Sequence, residues 1–235
     1  MYSPKISKRL LAAADFVRPS SFVADVGSDH AYLPIYLCAL GKIRGAVASD
    51  INEGPVARAN INIAACHLQK KITTLRADGL SGIEPFHPDD IVICGMGGEL
   101  IASIIAAAPW TKDKNIRLIL QPMTHAEKLR AFLAREGYRI IGEKLVKEDK
   151  LYQIISAEYC GEVEEYSPIE LIFGKYTPST LSEEFVEYAE YVKRVYTVRL
   201  EGKASVGADV SEEKSIIKEI DILISKRSNN ENEGN

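Results

Sequence analysis

Apolar runs of strand length alternate with helical spacings over the first 122 residues of the chain. FVADVG, GAVASD, ITTLRADGL, IVICGMGG and RLILQP read as five strands. Between them lie helical stretches: YLPIYLCAL ending at Gly41, PVARANINIAACHL opened by Gly54 and Pro55, and ELIASIIAAA. Strands separated by helices in this way build a parallel sheet covered on both faces. Upstream, Ser3 and Pro4 open a predicted first helix that places Ile6, Leu10, Ala13 and Val17 on one side.

Beyond the fifth strand, Thr124 and Glu127 have capping-box spacing ahead of AEKLRAFLAREG, and Gly137 stands where a helix stops. YRIIGEKLVKED and KLYQIISAEY then form a hairpin around Glu148, Asp149 and Lys150. The expected fold is α/β: a seven-stranded, mostly parallel sheet of the class I, Rossmann-like methyltransferase type. A nicotinamide-binding domain usually keeps a sixth parallel strand in place of the hairpin.

From Cys160 the chain turns acidic and loop-like. A capping box of Thr180 and Glu183 precedes a helix with Leu181, Phe185, Tyr188, Val192 and Val195 at three- and four-residue steps. After GKASVGADVS a second helix carries Ile216, Ile217, Ile220, Leu223 and Ile224. The expected organisation is a methyltransferase domain over 1–160, an antiparallel, coiled-coil-like helical pair over 161–228 and an unstructured polar tail over 229–235.

Composition changes this picture little. Hydrophobic residues make up 46% of the chain and charged residues 26%, ordinary values for a soluble globular protein. With no apolar run near membrane-spanning length and no signal-peptide core in MYSPKISKRLLAAADF, a cytoplasmic protein is expected. Cys38, Cys66, Cys94 and Cys160 have no metal or redox spacing, so no metal is expected. The net charge of -4 is uneven, since residues 1–76 carry ten Lys/Arg against five Asp/Glu. A basic face on the N-terminal half is compatible with an RNA partner.

The candidate chemistry sits where strands end. Asp25 and Asp29 flank Gly27, whose freedom permits a sharp turn out of the first strand. The second and third glycines of G-x-G-x-x-G are missing, and Asp29 occupies a place where a pyrophosphate would be repelled. S-adenosylmethionine has no phosphate, and its ammonium group favours carboxylates. Asp50 ends the second strand as a partner for ribose hydroxyls, Asp78 and Gly79 follow the third as an acceptor for an adenine amino group, and Gly95-Met96-Gly97-Gly98 ends the fourth beside the expected transfer point.

With these motifs in view, the sequence resembles the bacterial tRNA (adenine-N1)-methyltransferases that modify adenine 22. The matching stretches are ISKRL, DVGSDHAYLP from Asp25 to Pro34, EGP from Glu53 to Pro55, GMGG and LILQP. The resemblance covers essentially the whole chain and implies S-adenosylmethionine as methyl donor, S-adenosylhomocysteine as product and tRNA as substrate. Met123 departs from it, at a position where an asparagine is expected. The absence of an Asn/Asp-Pro-Pro-aromatic motif after the fourth strand favours a ring nitrogen over an exocyclic amine as the target.

The resulting candidates are Asp29, Met96 and Gln121 for catalysis, and Asp25, Gly27, His30, Asp50, Ile51, Asp78, Gly79 and Gly95 for the cofactor. Tyr32, Gly97, Gly98, Lys5, Lys8, Arg9 and Arg58 are the candidates for the substrate, with Lys42 and Arg44 as further positive groups. Lys193, Arg194, Arg199 and Lys203 could grip RNA from the helical pair, for which packing or dimerisation is the rival role; the expected state is a monomer or weak dimer. Two other functions remain open at this stage: methylation of a small molecule or protein, and a non-catalytic tRNA-binding module that has kept the fold.

Overall fold

The central strands are apolar throughout because both faces of the sheet are covered. A computed structural model describes residues 6–175 and 182–233. Its strands are β1 (Phe22–Val26), β2 (Gly45–Asp50), β3 (Ile72–Arg76), β4 (Asp90–Met96), β5 (Arg117–Pro122), β6 (Tyr138–Lys147) and β7 (Leu151–Tyr159). They form one sheet in the order β3-β2-β1-β4-β5-β7-β6. The first five are parallel, and β7 joins β5 and β6 antiparallel, as the hairpin predicted.

Helices α1 (Lys8–Phe16), α2 (Tyr32–Ala39) and α3 (Glu53–Ala65) cover one face, where Ala13, Leu33, Ile35 and Ile63 pack with Val23, Ala46, Val92 and Ile119. Helices α4 (Gly98–Ala106) and α5 (Ala126–Arg135) cover the other, where Ile101, Ile105, Leu129 and Leu133 meet Ala24, Val47, Ile91 and Leu118. Strands are added outward from β1 in one direction and from β4 in the other. The carboxyl ends of β1 and β4 therefore open the crevice in which doubly wound sheets bind ligands.

Local signals were less dependable than the periodicity. Helix α1 is capped by Ser7, whose hydroxyl accepts from the Leu10 N–H at 3.4 Å; Ser3, Pro4 and Lys5 lie outside the described residues. The Thr124–Glu127 capping box does not form. His125, in the left-handed region at φ 55°, is the N-cap of α5 and makes no side-chain capping bond, while the Thr124 carbonyl accepts from the Gly98 N–H at 2.8 Å. The helix starts one residue later than the Thr124–Glu127 spacing requires.

The chain divides into two compact units, 1–165 and 166–235. The boundary falls five residues later than composition placed it, because the Glu164 N–H donates to the Ala134 carbonyl at 3.2 Å and ties the acidic segment back to α5. The second unit holds α6 (Pro168–Phe173), α7 (Glu183–Ser205) and α8 (Ser211–Glu233). Helix α6, not anticipated from the sequence, opens with a capping box of Ser167 and Glu170, and its Phe173 packs on Phe185 and Tyr188 of α7. Helix α7 is capped by Ser182; Thr180 and Leu181 lie outside the described residues. Lys193 pairs with Asp221 and Lys203 with Glu213, each at 2.5 Å, so α7 and α8 run antiparallel. With no Gly or Pro between Ser211 and Glu233, α8 continues through 229–233, most of the segment expected to be an unstructured tail.

Candidate functional site

Asp25, next to last in β1, is almost fully buried, at 7% exposure. Its carboxylate accepts the Ser28 hydroxyl, and among the described residues no cationic side chain pairs with it. Burial pushes its pKa up to about 6, against a smaller opposing effect of the Ser28 hydrogen bond. A buried carboxylate without a counter-ion suits a ligand that brings its own cation. Gly27, at φ 75°, and Ser28 both donate to the Ser49 carbonyl at 2.8 Å, fastening the turn to the end of β2.

The other strand ends form a row beside it. The Asp50 side chain accepts from the Asn52 N–H at 2.8 Å, and Ile51 is 53% exposed, an apolar side chain open to solvent beside a carboxylate. Asp78 is exposed after β3, and Gly79 takes φ 55° beneath Ile104. Asp25, Gly27, Asp50, Ile51, Asp78 and Gly79 thus follow one sheet edge. Their chemistry fits the parts of S-adenosylmethionine: Asp25 for the ammonium, Asp50 for the ribose hydroxyls, and Ile51 with Asp78 for the adenine.

At the end of β4 the register against β5 shifts between Cys94 and Met96, a bulge that turns Gly95 outward at φ 83°. Gln121, fully buried on β5, holds this bulge: its Oε1 accepts from the Gly95 N–H at 3.1 Å and from Arg9 Nη1 at 2.9 Å. Its Nε2 donates to the Pro122 carbonyl at 3.0 Å. Gln121 is thereby a support under the loop, and Arg9, offered as a phosphate contact, is held at the same place and lies over the Tyr152 ring. The Met96 side chain lies over Gly27 and fills the space that a Cβ there would need. Met123 packs against the core, with its N–H donating to the Met96 carbonyl at 2.8 Å and its sulfur 3.5 Å from Gln121 Nε2. The position needs backbone and packing contacts that an asparagine is not required to supply.

Gly97 and Gly98 differ in role. Gly98 is buried, and a methyl group there would collide with the His125 carbonyl oxygen and lie 3.0 Å from the Thr124 carbonyl, so its lack of a side chain serves the α4–α5 contact. Gly98→Ala should lower stability by about 2 to 3 kcal/mol in urea denaturation. Gly97→Ala, whose methyl would meet only the rotatable Thr124 hydroxyl at 3.3 Å, should cost well under half as much.

Asp29 stands at the mouth of the site with its side chain 53% exposed. The Arg58 guanidinium from α3 grips its Oδ1, through Nη2 and through Nε at 3.1 Å, and His30 Nε2 lies 3.3 Å from Oδ2. His30 stacks on Tyr32 with centroids 4.9 Å apart and rings within 9° of parallel, and its carbonyl accepts from Asn62 Nδ2 at 3.0 Å. Sequence reasoning named every member of this group except Asn62, whose only signal was its place one turn beyond Arg58. It did not foresee that Arg58 would hold Asp29.

The remaining positive candidates are dispersed. Lys8 is exposed, with its backbone N–H donating to Glu148; Lys42 Nζ donates to the Ala14 carbonyl at 2.6 Å, and Arg44 pairs with Asp89. Lys193 and Lys203 are engaged in the α7–α8 ion pairs, and Arg199 lies over Tyr196. Among the described residues no group of His, Cys, Asp and Glu is arranged to hold a metal ion, and no helix is long and apolar enough to cross a membrane.

Sheet order, the glycine turn after β1 and the row of strand-end acids together define a class I methyltransferase domain, and residues 6–155 match the family model described as a methyltransferase domain. The chain belongs, more narrowly, to the tRNA (adenine(22)-N(1))-methyltransferase family: it is 35% identical over 222 residues to the Bacillus subtilis enzyme of that name, covering 92% of each chain. A Streptococcus pneumoniae protein described as a candidate tRNA (m1A22) methyltransferase, in complex with S-adenosyl-L-methionine, superposes with a TM-score of 0.82 at 35% identity, over 92% of this chain and 99% of that one. The M. capricolum TrmK complex with S-adenosylhomocysteine gives a TM-score of 0.73 at 26% identity, over 95% and 96%.

Proposed function

We propose that the protein transfers the methyl group of S-adenosylmethionine to N1 of adenine 22 in bacterial tRNA, leaving S-adenosylhomocysteine. The observation that carries this reading is the pairing of two unlike carboxylates across Gly27: Asp25 buried without a counter-ion, and Asp29 open at the mouth. The first suits the cofactor's ammonium and the second a base that becomes cationic.

When bound, the cofactor supplies an electrophilic methyl on a sulfonium. Adenine N1 attacks it with an in-plane lone pair that needs no prior deprotonation, so the protein's part is alignment and charge placement. Asp29 stabilises the positive charge that develops on the base. The stacked His30 and Tyr32 rings offer an aromatic face beside it, and the Gly95 bulge, held open by Gln121, gives the base close backbone approach. Arg58 supplies positive charge at the mouth for the tRNA backbone, while Arg9 is held beside the Gly95 bulge by Gln121. We read the protein as cytoplasmic, where its substrate resides, and as a monomer or weak dimer.

The test is incubation of the purified protein with labelled S-adenosylmethionine and unmodified bacterial tRNA, followed by nucleoside mass spectrometry. The expected product is 1-methyladenosine at position 22, absent when that adenine is replaced by guanine. Methylation at another position, or none despite cofactor binding, would reject the assignment.

A further inference from the structure

The two roles that the proposed function gives to Asp29 and Arg58 conflict in the geometry of the free protein. Arg58 donates to Asp29 through Nη2 and Nε, neutralising the carboxylate that is to face a cationic base. A guanidinium fixed there would also lie close to the positive charge that methylation creates, and would oppose it. Nor can Arg58 serve a tRNA phosphate fully while its fork is spent on Asp29.

We infer that Arg58 is a substrate-exchanged positioning residue: it holds Asp29 in the free protein and leaves it for a tRNA phosphate, so that RNA binding itself unmasks the carboxylate. The inference rests on the function proposed above and deepens it. The pair is well suited to such an exchange. Its side chains are 48% and 53% exposed, and ion pairs at that exposure are weak. A phosphate offers the same two-pronged recognition of guanidinium with greater charge. His30, 3.3 Å from the free side of Asp29 and fixed by Asn62 and the Tyr32 stack, keeps the loop in place when Arg58 departs.

Competition between Asp29 and phosphate for one guanidinium gives a signature in tRNA affinity that is independent of turnover. Asp29→Asn frees Arg58, and should tighten tRNA binding about two- to fivefold in the Arg58 background. In an Arg58→Gln background the same substitution should change affinity by much less. Arg58→Gln by itself should weaken binding and lower the slope of log affinity against log salt by about one. Arg58→Lys should recover the salt slope but not the coupling to Asp29, because an ammonium lacks the planar fork.

The experiment is a double-mutant cycle of tRNA affinity over these variants at several salt concentrations. Equal tightening by Asp29→Asn in both backgrounds would mean simple charge repulsion and would overturn the exchange, as would no tightening in either. Failure of the wild-type protein to bind tRNA would instead remove the proposed function, and the inference with it.

Discussion

Asp29→Ala is expected to lower the single-turnover rate of methyl transfer by about 10²- to 10³-fold, with the dissociation constant for S-adenosylmethionine within about threefold of wild type. The reasoning is electrostatic. The target base is neutral before the reaction and cationic after it, so a carboxylate beside it acts mainly on the transition state and product. Asp29 is half-exposed in the free protein, where water would screen its effect. A bound base excludes that water and strengthens the interaction. Asp29→Asn retains shape and hydrogen bonding but no charge, and should fall nearer to alanine than to wild type. Rates for both variants within threefold of wild type would remove Asp29 from catalysis.

Asp25→Asn is expected to separate stability from function. The folded carboxyl is raised from 3.8 to about 6, so in the free protein its ionised form is the costly one. Between those values the folded state binds more protons than the unfolded state. Stability attributable to this group therefore falls as pH rises through that window, and the full cost, at most about 3 kcal/mol, is carried above it. Removing the charge should stabilise the free protein by about 1 to 3 kcal/mol at pH 7 and by progressively less toward pH 4, as read from urea midpoints; the amide's own unmet hydrogen bond reduces the gain. The same substitution should weaken S-adenosylmethionine binding about 10- to 100-fold at pH 7 by calorimetry, because a charge-assisted bond to the ammonium is lost. Wild-type affinity should also weaken as pH drops below 6. A variant less stable at pH 7, or one that binds the cofactor as wild type does, would contradict this account.

The legibility of the fold follows from the length scale of each signal. Five apolar runs separated by helical spacings required a parallel sheet, and the Glu148-Asp149-Lys150 turn required a hairpin, because these patterns extend over many residues and must match a buried face. Caps are decided by one or two hydrogen bonds, and a shift of one residue removes them: α5 has His125 rather than Thr124 as its N-cap, and the described first helix is capped by Ser7. Helix α6 is six residues long, too short for its periodicity to stand out.

The site divides in the same way. By itself the sequence determined which acids and glycines follow the strand ends, since an α/β alternation delivers each strand's last residues to one edge. It also determined that this edge lacks the glycine fingerprint for pyrophosphate. Only the tertiary structure decided what those residues do to one another. Residues 29 and 58, on separate segments, meet as an ion pair, and residues 9 and 121, 112 apart in sequence, meet beside Gly95, where the Gln121 side chain accepts from both. Gly98 was drawn into packing by a carbonyl 27 residues away in sequence. Periodic burial is a property of a segment and can be read along it, whereas the partner of a charge or a hydrogen bond is fixed by distances that exist only once the sheet has brought its segments together.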